Sequence, residues 1–148
     1  MPTERDDVAG TDQRRAIRGL GEVLRTERLD EMVAFYGDVL GLDLLERSET
    51  SAFFRVAEGV DGHTQVFVLF DRTASDGYAS LEPARTTLDH VASSVERADF
   101  DAELARLRGL GLAVDTATHE WVGWRALYVS DPEGNRVELS CFDPSVGA

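Results

Sequence analysis

Apolar residues along the chain alternate with a period of two, then fall at helical spacing, then alternate again, and this order occurs twice. Leu20–Thr26 alternates weakly and reads as a strand. Leu29, Met32, Val33, Tyr36 and Leu40 then lie on one side of a helix over Leu29–Leu40, ended by Gly41. Leu42–Arg47, Ala52–Val56 and Gln65–Phe70 follow as three short β-prone segments separated by polar or glycine-containing turns. Beyond a Gly- and Pro-containing connector, Thr87–Val95 reads as a strand. Phe100–Leu110, with Leu104 and Leu107, reads as a second helix closed by Gly109 and Gly111. Leu112–Asp115, Arg125–Val129 and Arg136–Phe142 supply three further strands.

The repetition is visible in letters too. Val39-Leu40-Gly41-Leu42 recurs as Gly109-Leu110-Gly111-Leu112, and Phe70-Asp71 recurs as Phe142-Asp143. An internal repeat of roughly 70 residues, each unit one helix on a four-stranded sheet, is the organising feature. One such unit would leave a sheet face bare, whereas two can enclose a cleft, the default place for a site. The expected fold class is therefore α+β, with two tandem βαβββ modules forming a cleft between curved mixed sheets. Residues 1–16 read as a mobile acidic tail, 17–73 as the first module, 74–86 as a linker, 87–144 as the second module and 145–148 as a terminal tail.

Charge narrows the function classes. The 148 residues carry 28 Asp and Glu against 15 basic residues, a net −13, and every one of those basic residues is Arg. No basic face is available for a phosphate backbone or an anionic membrane, so neither nucleic acid nor membrane is an expected partner. No apolar run is longer than that of Val66–Phe70, which is far too short to span a bilayer, and the acidic start lacks the apolar core of a signal peptide. A single cysteine, Cys141, excludes an internal disulfide framework and a Cys-rich zinc site. The expected compartment is cytoplasmic. The acidity reads either as adaptation to a salty cytoplasm or as a bias toward Arg codons. The absence of lysine removes Schiff-base and lysine general-base chemistry, leaving metal, His and Tyr.

With Phe35-Tyr36-x-x-Val39-Leu40-Gly41-Leu42 in the first module and Asp131-Pro132-Glu133-Gly134-Asn135-Arg136-Val137-Glu138-Leu139 in the second, the chain resembles the vicinal oxygen chelate superfamily over about Gly19–Pro144. That superfamily includes glyoxalase I, extradiol ring-cleaving dioxygenases, and fosfomycin-resistance and bleomycin-binding proteins. The resemblance implies metal ligands on the first and last strands of each module, at His90 and Glu138 in the second. An imidazole and a carboxylate suit one divalent ion, Fe²⁺ first, with Mn²⁺, Zn²⁺ or Ni²⁺ as alternatives. In the first module the matching positions are Gly21 and Val66 or Val68, none of which can coordinate. Glu22, beside Gly21, becomes a third ligand if a one-residue bulge turns it inward, and is otherwise a solvated strand end.

The spacing His119…Tyr128…Glu138 around Asp131-Pro132-x-Gly134 resembles the extradiol dioxygenase signature, departing at Ala117. By that resemblance His119 moves a proton and Tyr128 hydrogen-bonds a substrate oxygen. Arg25 reads either as the holder of an anionic substrate group or as one half of a rim ion pair. Trp121, Trp124, Phe53 and Phe67 read as cleft walls for the substrate or as core.

The reading that results is a divalent-metal-dependent enzyme acting on a small substrate with two vicinal oxygens, most like an extradiol dioxygenase. A glyoxalase I-like lyase and a metal-free small-molecule binder of the bleomycin-resistance type are the alternatives. The cleft closes either between the chain's own modules or across a homodimer.

Overall fold

A computed structural model describes residues 16–74, 76–77, 79, 82 and 86–147. Nearly all of the expected N-terminal tail and much of the 74–86 connector lie outside the described residues. The first module comprises strand β1 (Glu22–Thr26), helix α1 (Leu29–Ala34), β2 (Asp43–Arg47), β3 (Ser51–Glu58) and β4 (Thr64–Asp71). The second comprises β5 (His90–Ser94), α2 (Arg97–Gly109), β6 (Asp115–His119), β7 (Trp124–Ser130) and β8 (Arg136–Phe142). Helix α1 widens into a π-helical turn over Phe35–Val39, so the helical span agrees with the sequence reading although its hydrogen-bond pattern changes midway. After each helix the chain reverses at a glycine with positive φ, +78° at Gly41 and +83° at Gly111, which is why the Leu-Gly-Leu signature recurs.

The sheets have the same order, β1-β4-β3-β2 and β5-β8-β7-β6. In each, the first strand pairs in parallel with the last and the other pairings are antiparallel. One face of each sheet is covered by its helix. Leu24, Phe67 and Leu69 of the first module join Met32, Phe35 and Tyr36, while Val91, Leu127, Val137 and Leu139 of the second join Phe100 and Leu107, all in one buried cluster. Each of these large side chains contributes about 1.5–3 kcal/mol when fully buried.

The modules are also joined by polar contacts. Tyr36 donates its hydroxyl hydrogen bond to Asp131 at 2.8 Å, and Thr26 Oγ1 donates to Glu133 at 2.6 Å. Asp131 also accepts from the backbone N–H groups of Glu133 and Asn135 and from the Asn135 amide. The Asp-Pro-x-Gly-Asn turn is thus both the β7–β8 connection and the anchor for α1.

One strand departs from expectation. The last module's second strand is Asp115–His119, not Leu112–Asp115. Leu112 and Val114 instead pack from the preceding loop against the core. No helix among the described residues is long and apolar enough to cross a membrane.

Candidate functional site

The face of the second sheet turned away from α2 can be read from strand register. Glu138 is opposite Tyr128, Ser140 opposite Ala126, Phe142 opposite Trp124, and His90 opposite Arg136. Alternation then places His90, Arg136, Glu138, Tyr128, Trp124 and His119 on one face, with Val91, Val137 and Leu139 on the other.

At one end of this face His90 Nε2 lies 2.8 Å from Glu138 Oε2. The Glu138 side chain is only 9% exposed, whereas the imidazole is about a third open. The other ring nitrogen, Nδ1, is 2.6 Å from Asp89 Oδ2. That carboxylate holds the His90 pKa above its ordinary value; partial burial opposes it, and the Glu138 charge adds to it. With Nδ1–H directed at Asp89 and Nε2–H at Glu138, an ion would have to displace the Nε2 proton, and the Asp89 contact would then orient the ring as the outer partners of metal-bound histidines do. Asp89 was not singled out from sequence. Its only signal there is its place immediately before His90.

Beside this pair, Tyr128 is edge-on to the His90 ring, with centroids 6.4 Å apart. Its hydroxyl lies 3.3 Å from His119 Nε2. Burial raises the Tyr128 pKa, the nearby Glu138 charge raises it further, and Arg136 partly opposes both. The phenol therefore remains a proton donor at neutral pH. The Arg136 guanidinium rests 4.1 Å from the centre of the Tyr128 ring, a cation–π contact that fixes both groups.

The first module lacks counterparts. Glu22 pairs with Phe67 and Val23 with Val68, whereas Val91 pairs with Val137 and Ala92 with Glu138. Gly21, immediately before β1, lies on the face of Val23 and Arg25, and Val66 and Val68 share that face on β4, so the places that match His90 and Glu138 hold a glycine and valines. The β1–β4 pairing runs without a register shift, so the bulge that would turn Glu22 inward is missing. Glu22 shares the helix-covered face with Leu24, away from the face that carries His90 and Glu138. A Cβ built at Gly21 would sit 3.3 Å from the Val66 carbonyl oxygen, so a side chain there would crowd the neighbouring strand.

Phe67 is likewise corrected. It is buried in the core on the helix-covered face, its ring 4.2 Å from that of Tyr36, so it does not line the face that carries His90 and Glu138. Phe53 lies on the opposite face of its sheet, edge-on to Phe70. Arg25 is exposed on that same face and makes no hydrogen bond or ion pair among the described residues. Trp121, 85% exposed in the β6–β7 turn, and Trp124 are neighbours with ring centres 6.4 Å apart. They form an aromatic end to the face that carries His90 and Glu138.

For a divalent ion the donor chemistry fits in part. Two cis donors about 2.1 Å from an ion are about 3 Å apart, which the His90–Glu138 separation matches. Among the described residues, however, no group of three His, Cys, Asp or Glu side chains converges. Protein donors would fill two positions and leave the others to water and ligand.

This repeated fold and its open-face histidine–carboxylate pair define a class. The chain belongs to the glyoxalase/bleomycin resistance protein/dioxygenase superfamily, whose family model matches residues 19–139. It is 30% identical over 124 residues to the catechol-2,3-dioxygenase of Bacillus subtilis (strain 168). That match covers 82% of this chain but 40% of the relative, so the chain spans less than half of that protein's length. Among solved structures it resembles lactoylglutathione lyase from Agrobacterium tumefaciens, at 26% identity and TM-score 0.66, covering 86% of this chain and 96% of that one. The fosfomycin resistance protein FosX from Listeria monocytogenes, solved with Mn(II) and sulfate, shares the fold at 17% identity and TM-score 0.61, covering 88% and 94% of the two chains.

Proposed function

We propose that the protein is a divalent-metal-dependent enzyme acting on a small substrate with two vicinal oxygens, most like an extradiol ring-cleaving dioxygenase. The observation that carries this reading is the contact between His119 and Tyr128 on the same face as the His90–Glu138 pair. A proton relay thereby adjoins the two donors that suit an ion. Similarity to a catechol dioxygenase supports the choice of reaction. His90 and Glu138 would hold the ion, which when bound supplies Lewis acidity to two neighbouring substrate oxygens and, if it is Fe²⁺, redox chemistry with O₂.

The chain's own groups then have defined tasks. Tyr128, kept protonated, donates a hydrogen bond to a substrate oxygen. His119 Nε2, within reach of that hydroxyl, accepts or returns a proton as charge moves on the ring. Trp121 and Trp124 offer an apolar surface for the rest of an aromatic substrate. Arg25 is a further candidate for an anionic substituent, carried by the first module.

Metal analysis of the purified protein tests the reading. About one equivalent of divalent ion, lost in both His90→Ala and Glu138→Ala, is expected. Catechol should yield a yellow ring-opened product after anaerobic Fe²⁺ loading. Tight binding of aromatic ligands without any metal would overturn this reading in favour of a metal-free binding protein, which the missing donors at Gly21 and Val68 and the exposed tryptophan pair would suit. Two protein donors rather than four disfavour a glyoxalase I-like lyase.

A further inference from the structure

On the helix-covered side of the sheets, a crevice of about 490 Å³ lies between the two modules. Its walls include Leu40 and Phe67 from the first module and Val91, Val137 and Leu139 from the second. Its body lies behind the His90–Glu138 face, because Val91, Val137 and Leu139 alternate with His90 and Glu138 along their strands, while Ala92 and Ser94 carry its rim round the β5 edge. Its volume falls within the range of small-molecule sites, which are mostly apolar with a few placed polar groups.

Two carboxylates reach the crevice, Glu22 and Glu103, and no Arg or His lines it. Glu103 is already neutralised by Arg106, with contacts of 2.9 and 2.8 Å. Glu22 differs. It is half-buried and has no hydrogen bond or ion pair among the described residues. A carboxylate set against apolar walls without a partner carries a desolvation cost that a bound cation would relieve. An acidic residue at the helix-facing position where the other module carries Val91 is also out of keeping with simple packing.

We propose that this crevice is a binding site for a small amphipathic cation, an apolar body bearing one protonated amine whose charge pairs with Glu22. The site is independent of the open-face chemistry and stands whether or not the protein is a metalloenzyme.

Three probes of one shape but different charge test it: n-octylammonium, n-octanol and octanoate. Titration calorimetry at about 0.15 M KCl limits diffuse attraction to the acidic surface. Octylammonium should bind most tightly and octanoate least, with amide shifts in nuclear magnetic resonance spectra at Tyr36, Val91 and Val137. Glu22→Gln, which keeps the side-chain size, should weaken octylammonium about tenfold and leave octanol unchanged. The same change at exposed Glu46 should do neither. Absence of octylammonium binding, equal binding of octanol, insensitivity to Glu22→Gln, or shifts confined to His90, Tyr128 and Trp121 would each overturn the proposal. Should Glu22→Gln fold poorly, the charge series and shift map on the unaltered protein still decide.

Discussion

At the residue scale the candidate site turns on hydrogens. Tyr128→Phe removes the only atom by which that ring can donate to substrate, while its packing against Arg136 and His90 is retained. Turnover of a catechol is expected to fall about a hundredfold with KM little changed, the usual size of a lost general-acid or hydrogen-bonding contribution. Steady-state kinetics with single-turnover controls would check it. His90 makes a different prediction. Asp89 and Glu138 hold a proton on its ring more tightly than in free imidazole, and an ion must displace that proton. Metal affinity should therefore fall as pH drops through the raised His90 pKa, and Asp89→Asn should move the midpoint to lower pH. Without metal, the raised pKa stabilises the fold below the unfolded-state value, and that contribution is lost as pH rises through the folded-state value. A titration showing no shift for Asp89→Asn would remove Asp89 from the site. His90, Glu138, His119 and Tyr128 stand out in sequence because a linear motif carries them. Asp89 acts through a neighbour-to-neighbour contact that no spacing announces, and the orientation of Glu22 depends on whether β1 bulges.

At the element scale the β7–β8 turn and α1 behave as one unit. Tyr36 is buried and its pKa is pushed far above the ordinary value, chiefly by burial and then by Asp131, so the phenol remains a donor at any accessible pH. Tyr36→Phe removes one hydrogen bond to a carboxylate that keeps its other partners. A loss of about 1–3 kcal/mol is expected, seen as a melting temperature lowered by roughly 2–4 °C per kcal/mol. Asp131→Ala should cost more, because it strands the Tyr36 hydroxyl and also undoes the turn that holds Asn135 and Glu133. Equal melting temperatures for the two variants would show that the turn does not depend on Asp131. The elements themselves were largely legible, since helices and buried strands advertise their periods. β6 was not, because Asp115-Thr116-Ala117-Thr118-His119 is an edge strand with one apolar residue, and the stronger pattern of Leu112 and Val114 belongs to a loop packed on the core.

At the scale of the whole molecule, duplication makes the fold readable. Two copies of one pattern specify two sheets of identical order, and a conformational requirement such as the positive φ at Gly41 and Gly111 is written twice. Function reads less clearly at this scale because the copies have diverged where it matters, with Gly21, Val66 and Val68 standing where the other copy carries His90 and Glu138. Charge is the remaining global property. A net −13 places far more carboxylates than cations in the molecule, and most ion pairs among the described residues have at least one largely exposed partner, as in Arg47–Asp30 and Arg125–Asp101. Such pairs contribute at most about 1 kcal/mol each, so weakening them with salt costs little. Mutual repulsion among the excess carboxylates acts over many pairs and favours the expanded chain. Between about 0.01 and 0.15 M salt the screening length falls from about 30 to about 8 Å, which removes most of that repulsion. The melting temperature should therefore rise with KCl over this interval and flatten once screening is complete. A melting temperature unchanged from low to molar KCl would show that the acidic groups are too far apart, or too well solvated, for their repulsion to oppose folding.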